Sequence, residues 1–512
     1  MLDGSVLMYY FVNEYILQKN SSVEHTAMNR VRLFNHFQRP AKIVTKIYDR
    51  LLHQTLTNFG LKDDDVVNMF DFFQGTTKMA ETKVMHTDDL RLPVESEVSV
   101  GANFSGVSVG DIPTGNVGFI PGTIGRVFYQ EFVDSQGNAI ETDLWDWRGF
   151  KSATQYFGQD GKLIMQRYYQ PDGQIVLEEY FAPDTNGNPL ASRMILKDYQ
   201  GKGDLFFQNP DGLFEFFLAE LSKQDPETTT FISDRPGTGV RPLLALNDSS
   251  RKYVYVPINH VVKQDDPIYG QLDGFLQPAF DHFNSFDGFI TATPQQAADL
   301  KQRFPKANVT SISVVSTTPL VKGETSLKPM AQRLAGSLLY VGRISADKQI
   351  EQLIRMFAII KQRVPHAIFD LYGYGEPAFM KQMTDLVNEL QLQSSVTLKD
   401  YYPDIDGQYD NYQALVNLSF VDGGPMGMQE AMTHGIPAIS TPFNYGPQDY
   451  IQDGVNGYLC KPGDTLAMAD RIVDLFTDSK KLAKLSEGAY TTAHKNWTRQ
   501  KVWNRWQKFL KD

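Results

Sequence analysis

Residues 420–440 read FVDGGPMGMQEAMTHGIPAIS. The stretch leaves a buried strand, LVNLSF (415–420), and enters another, PAIS (437–440). Between them Gly423, Gly424 and Gly427 surround Pro425, and a helical run extends over 426–434. Glycine backbone at a helix N-terminus leaves N–H groups bare where the helix dipole favours an anion. Pro425 suits the start of that helix. Asp422 precedes the turn and Glu430 lies inside the helix. Carboxylates accept hydrogen bonds from hydroxyls, so Asp422 fits a sugar and Glu430 a ribose diol. Phosphate on the glycines and hydroxyls on the carboxylates together describe a nucleotide sugar.

Working outward, the pattern around this stretch is regular. SLLYVG (337–342), a helix over 347–363, AIFDLYG (367–373), a helix over 376–391 and VTLKD (396–400) precede a short helix and the strand LVNLSF. Alternating strands and helices predict a parallel sheet with crossover helices. The N-terminal part shows the same alternation: MYYFV (8–12), a helix over 23–37, AKIVTKIY (41–48), and later TTTFIS (228–233), KYVYVPIN (252–259) and FDGFITAT (286–293), with a helix starting at Pro294. From 84 to 206 the texture is different. Gln136-Gly137, Asp160-Gly161, Asp172-Gly173 and Asn186-Gly187 are hairpin-type dipeptides, with glycine intervals that include 12 and 14 residues. RVFYQEFV, KLIMQRYY and QIVLEEYF lie among them, which predicts an antiparallel meander inserted in the first α/β unit.

The expected organisation is therefore 1–83 and 207–325 as one doubly wound domain, 84–206 as the β-rich insertion, 326–495 as a second doubly wound domain and 496–512 as a closing amphipathic helix. The polar stretch 318–336 reads as the linker. Two such sheets open their carboxyl edges toward a common cleft, the expected ligand site.

Bulk composition narrows the classes. A chain of 512 residues exceeds one hydrophobic core, and 42% hydrophobic residues can fill two or three. The net charge of −11, from 49 basic and 60 acidic side chains with no basic tract, disfavours nucleic acid as the main partner. The single cysteine, Cys460, excludes a disulfide framework and a cysteine-rich zinc site, and fits a reducing compartment. The first 18 residues lack a basic n-region followed by an apolar core, and no window reaches the roughly 18 apolar residues of a membrane span. The expected location is the cytoplasm, with the inner membrane face open as a peripheral site.

Further candidates follow other strands. YVGRISADK (340–348) places Gly342, Arg343 and Lys348 directly after a strand, where Arg can fork onto phosphate oxygens and Lys adds a point charge. A solvated loop reads equally well from those residues alone. YGYGEP (372–377) offers Gly373 and Gly375 for close backbone approach, though glycine after a strand is commonly only a turn. No Walker A loop and no H-E-x-x-H occur. Asp404-x-Asp406 in PDIDG reads as a cap for the following helix rather than a metal pair, so no metal is expected. Trp145 and Trp147 in DLWDWRGF fit half-buried strands better than a sugar platform or a subunit contact.

The chain resembles the retaining glycosyltransferases of the two-Rossmann GT-B type, family 4. Their G-R-x-x-x-x-K element is matched by Gly342-Arg343-Ile344-Ser345-Ala346-Asp347-Lys348. In their Glu–seven residues–Glu motif, Glu430 matches the second Glu and Asp422 stands for the first. STPFNYGPQDYIQDGVNGYL (440–459) also matches. Asn-Tyr-Gly-Pro and the insertion resemble most the poly(glycerol-phosphate) and poly(ribitol-phosphate) α-glycosyltransferases that decorate wall teichoic acid in Gram-positive bacteria. The transferases that place GlcNAc on serine-rich adhesins share much of the pattern.

The resemblance implies roles. Arg343 and Lys348 would neutralise the donor diphosphate, and Glu430 would hold the ribose. Asp422 and His260, in VPINHVV (256–262), would approach the donor sugar. Gly342, Gly373, Gly423, Gly424, Met426 and Gly427 would line the nucleotide. Asp234 and Arg235, in SDRPGTG (233–239), are weaker acceptor-side candidates. The chain departs from the family twice: Asp422 is one methylene shorter than Glu, and the first loop carries Ser21 and Ser22 where a Gly pair is usual. Serine N–H groups still donate, but their Cβ atoms restrict approach.

Three functions remain open. The first is transfer of a hexose, glucose from UDP-glucose, to a poly(glycerol-phosphate)-type teichoic acid in α linkage. The second is transfer from UDP-GlcNAc or another UDP-hexose to Ser or Thr of a surface protein. The third is a catalytically weakened partner subunit. The insertion implies a homo-oligomer or a paired subunit, since it also adds sheet edges that need covering.

Overall fold

The computed structural model describes residues 7–80, 83–223, 227–318 and 327–511. Residues 319–326 of the linker stretch, and with them the expected boundary between 325 and 326, lie outside the described residues.

Three sheets organise the chain. The first has seven parallel strands in the order Val309–Ser311, Gly288–Thr291, Arg251–Val256, Thr229–Ser233, Met8–Val12, Ala41–Thr45 and Val66–Asn68. The last has six parallel strands in the order Val396–Lys399, Ile368–Tyr372, Ser337–Val341, Ala414–Asn417, Ala438–Ser440 and Gly457–Leu459. Each sheet starts near its centre and reverses direction, so the loops after Val12, Ser233, Val341 and Asn417 leave at topological switch points. The two doubly wound units expected from strand–helix alternation are present.

Within the first unit, between its strands Val66–Asn68 and Thr229–Ser233, ten antiparallel strands from Ser96–Val98 to Leu205–Phe207 pair in strict sequence order. Gly137, Gly161, Gly173 and Gly187 close four of its hairpins at φ of 84°, 71°, 92° and 80°. That backbone is one L side chains rarely adopt, so the X-Gly dipeptides placed the turns correctly. Leu144, Tyr168, Leu177 and Met194 of the meander share a core with Phe70, Phe73 and Phe217 of the first α/β unit. Arg148, 1% exposed, adds a polar lock by donating to Asp71 Oδ1 at 2.6 Å and to the Thr76 carbonyl at 2.9 Å.

The last helix, Arg499–Leu510, returns to the first sheet. Trp503, Trp506 and Phe509 pack there with Tyr9, Phe11 and Phe34. Two boundaries differ from the sequence reading. The strand expected over 415–420 stops at Asn417, whose side chain accepts from Ser419 N and Oγ and turns the chain out. The helix expected from 347 begins at Ile350, because Gln349 at φ 53° interrupts it after a 3-10 turn over Ala346–Lys348.

Candidate functional site

A cleft of about 1450 Å³ lies where the carboxyl ends of the two parallel sheets face one another. The loops after Val341, Tyr372 and Asn417 bring Gly342, Arg343, Lys348, Gly373 and Asp422 to its wall. Gly423, Met426, Gly427 and Glu430 join them, and Ser21 and Ser22 face them from the first unit. Gly373 tolerates no side chain, since a Cβ would sit 1.8 Å from the Gly342 carbonyl oxygen. Gly423 is constrained from across the cleft: its Cβ would sit 2.1 Å from the Pro257 carbonyl oxygen. That glycine lets the second unit's turn rest against the first.

Lys348 is nearly buried and donates from Nζ to Asp422 Oδ2 and to the Val421 carbonyl, both at 2.9 Å. Arg343 reaches Asp347 at 3.3 Å and remains half exposed. Tyr340 Oη donates to the Arg343 carbonyl at 2.9 Å, which holds the start of this loop. Helix Met426–Thr433 follows, with Pro425 at its N-cap making no side-chain cap bond. Two cations thus stand beside an uncapped helix N-terminus, a combination suited to a diphosphate.

Glu430 accepts from Tyr409 Oη at 2.8 Å through Oε2. Burial pushes its carboxyl up to about 7, with the Tyr409 hydroxyl pulling the other way. Ser21 caps helix Ser22–His36: its Oγ accepts from Val23 N at 3.2 Å, and Glu24 Oε2 accepts from Ser21 N at 2.9 Å and Oγ at 2.7 Å. The Ser21 amide is therefore already engaged, which corrects its expected role as a phosphate donor. Glu24, fully buried, is also paired with Arg235.

The structure does not bring three expected residues, Gly424, His260 and Asp234, to the cleft. Gly424 donates its N–H to Asp422 Oδ1 at 3.0 Å, and its bare Cα packs on Ala292, where a Cβ would come within 2.5 Å. It shapes the turn rather than offering a free amide. His260 is fully buried, with Nε2 2.9 Å from the Pro267 carbonyl and its ring stacked on Tyr445 at 5.8 Å. Its neighbour Asn259 lines the cleft instead. Asp234 is likewise fully buried and paired with Arg30, and burial pushes its carboxyl up to about 6. Only Arg235 of that pair reaches the cleft. Asp406 does not cap its short helix, which lacks a side-chain cap bond; its Oδ1 lies 3.0 Å from His434 Nε2. Among the described residues no group of three His, Cys, Asp or Glu could hold a metal ion.

Residues 336–492 match the family model described as glycosyl transferases group 1. The chain carries a group 1 glycosyltransferase domain. This domain contains the last parallel sheet and every cleft residue from Gly342 to Glu430.

The GtfA subunit of a UDP-N-acetylglucosamine–peptide N-acetylglucosaminyltransferase of Streptococcus parasanguinis is 24% identical over 98% of this chain and 99% of its own. A poly(ribitol-phosphate) α-N-acetylglucosaminyltransferase of Staphylococcus aureus (strain COL) is 24% identical over 62% of this chain and 64% of its own. The crystal structure of the pneumococcal O-GlcNAc transferase GtfA, in complex with UDP and GlcNAc, superposes with a TM-score of 0.84 at 21% identity, over 99% of this chain and 100% of that one. The fold around the glycosyltransferase domain is GT-B with a β-rich insertion, as the sequence resemblance implied.

Several cleft residues had no motif to announce them. His25 Nε2 lies 2.7 Å from Tyr401 Oη across the two units, and burial pulls the imidazole down to about 4. Lys19 Nζ meets Asp400 at 2.7 Å beside it. Both partners follow directly after strand Val396–Lys399, so the strand-end rule could have found Asp400 and Tyr401. Among the described residues no helix is long and apolar enough to cross a membrane.

Proposed function

We propose that the chain is a retaining glycosyltransferase that takes a hexose from a UDP-sugar. The observation that carries this is the convergence of Arg343, Lys348 and the start of helix Met426–Thr433 on one cleft wall, with Glu430 one helical turn further. The diphosphate lies against the cations and the helix start, and the ribose against Glu430. An acceptor hydroxyl enters on the face from which the diphosphate leaves. Its oxygen bonds to the anomeric carbon as the bond from that carbon to phosphate oxygen breaks, and a donor phosphate oxygen takes its proton. UDP and an α-glycoside result. Lys348 and Arg343 stabilise the charge that develops on the leaving group. No protein nucleophile is required, in keeping with Asp422 being held by Lys348. The two cations serve the diphosphate in place of a metal, and turnover is expected to persist in a chelator.

For the acceptor we favour a polyol-phosphate chain with glucose as the sugar. The first unit's wall contributes Arg32 and Arg235 to the cleft and no carboxylate, with Arg235 paired to the buried Glu24 behind it; Arg499 lies on the same cavity, and the acidic side chains of the lining all come from the second unit. A polyanion entering along that wall gains from it. The insertion opposes this with 9 basic and 17 acidic side chains over 84–206, but it does not line the cleft. Fields beyond about 10 Å are screened at physiological salt, so the wall outweighs it. The alignment with the peptide GlcNAc-transferase subunit, which runs through the insertion, favours a second reading: Ser or Thr of a protein, with GlcNAc. That relative is named a subunit, and we extend pairing or self-association to this chain. Light scattering that returned a monomer at micromolar concentration would remove that extension.

The deciding experiment is UDP release from UDP-glucose and UDP-GlcNAc, each with poly(glycerol phosphate) or a Ser/Thr-rich peptide. Release from UDP-glucose that depends on the polymer is expected. Release that depends only on the peptide selects the second reading. Silence with both acceptors and no UDP binding would instead make the chain a partner subunit without turnover.

A further inference from the structure

Glu430 sits at the cleft with one oxygen already committed. Tyr409 Oη donates to Oε2 at 2.8 Å, from a side chain that is fully buried and does not line the cleft. Tyr409 is itself held. Its ring stacks on His434, with centroids 5.3 Å apart and planes at 27°. Both nitrogens of that imidazole face carboxylates, Nδ1 with Asp410 Oδ1 at 3.1 Å and Nε2 with Asp406 Oδ1 at 3.0 Å. Arg333 anchors the far side by donating to the His434 carbonyl at 2.6 Å.

A carboxylate on a short helix can rotate about its terminal torsion, and a rotating acceptor recognises a diol poorly. Tying down Oε2 fixes the plane of the group and leaves Oε1 to serve the cleft that Glu430 lines. We propose that Tyr409 is a positioning residue that sets the ribose specificity of the donor site, by holding one oxygen of Glu430 so that the other meets the ribose hydroxyls. The stacked His434, fixed at both nitrogens, keeps Tyr409 in the orientation this needs. The inference rests on the donor-site reading above, and the test separates the two.

The test is calorimetric binding of UDP and of 2′,3′-dideoxy-UDP to the full chain and to Tyr409→Phe. The wild-type chain is expected to prefer UDP about tenfold or more, in line with a hydrogen bond to a charged group. In Tyr409→Phe that preference falls to about threefold or less, while binding of the dideoxy analogue, which has no diol to place, stays the same. Glu430→Gln, which keeps a carbonyl for Tyr409 but loses the charge, is expected to lose the preference as well. An unchanged preference in Tyr409→Phe overturns the proposal, and so does equal weakening of both ligands, which would mark a merely structural role. If the wild-type chain binds neither ligand, the donor-site reading itself fails and this inference fails with it. Binding of both ligands without preference overturns the ribose assignment alone and leaves the diphosphate site standing.

Discussion

Lys348 and Asp422, 74 positions apart in sequence, meet at 2.9 Å on the floor of the cleft. Asp422 thus pairs with the ammonium through Oδ2, and its Oδ1 is engaged by the Gly424 amide. An incoming diphosphate therefore competes with a resident carboxylate for the same cation. Asp422→Asn is expected to bind UDP roughly threefold to tenfold tighter, because the competing charge is gone, yet to turn over more slowly. Calorimetry and UDP release would show the opposed changes; weaker UDP binding would mean that Asp422 does not restrain Lys348.

Lys348→Ala removes a nearly buried cation from the leaving-group side. Loss of such an electrostatic contact typically lowers turnover about 100-fold to 1000-fold. UDP release with acceptor present, measured well below the melting temperature of both proteins, checks it. A drop of only a few-fold would shift the burden to Arg343 and the helix start.

Nucleotide affinity is expected to depend on pH through Glu430. Burial raises the carboxyl to about 7, with Tyr409 lowering it in part and Asp406 and His434 as its other charged neighbours. The ribose diol requires the ionised form. UDP affinity should therefore be full above that value and decline as pH falls through it. In Tyr409→Phe the hydroxyl that favours the ionised form is gone, so the decline should begin at higher pH. The dideoxy analogue is the control, since its diphosphate titrates alike; the same decline with both ligands would discount Glu430.

Among the contacts that bridge the α/β units, two join residues 19–25 to residues 400–401. Lys19 and Asp400 are largely exposed, and such a pair is worth about 0–1 kcal/mol. His25 and Tyr401 are joined at 2.7 Å, with the imidazole kept neutral by burial. Lys19→Ala should leave donor KM nearly unchanged, whereas Tyr401→Phe should raise it several-fold at similar kcat. Steady-state kinetics on both variants decide, and equal effects would count against His25–Tyr401 as the closing contact.

The insertion is locked to the first α/β unit by Arg148, whose guanidinium contacts Asp71 and Asp146. Removing one partner of a buried ionic group costs about 3–5 kcal/mol, because the remaining charges lose their compensation. Arg148→Ala should lower the melting temperature accordingly, in a scan where Lys83→Ala, which breaks a largely exposed pair with Asp89, does not.

The sequence by itself determined the three-part architecture and most of the cleft. Strand–helix alternation, X-Gly dipeptides that need positive φ, and the glycine turn before a helix are local signals, readable within a dozen residues. They put Gly342, Arg343 and Lys348 just after one strand and Glu430 in the helix that follows another, and all four line the cleft because in a parallel sheet every strand's carboxyl end faces the same edge. Local signals misled where a residue's neighbours come from elsewhere. His260 follows a strand, as expected, but packs against Tyr445. Gly424 looked like a free amide, but Asp422 takes its N–H. Only the tertiary structure decided that Lys348 is restrained by Asp422 and that Tyr409 holds Glu430. Periodicity and turn chemistry record which face of an element is buried and where the chain reverses. Which side chains then meet at the shared edge of two sheets depends on crossover lengths and helix packing, and no single segment encodes that.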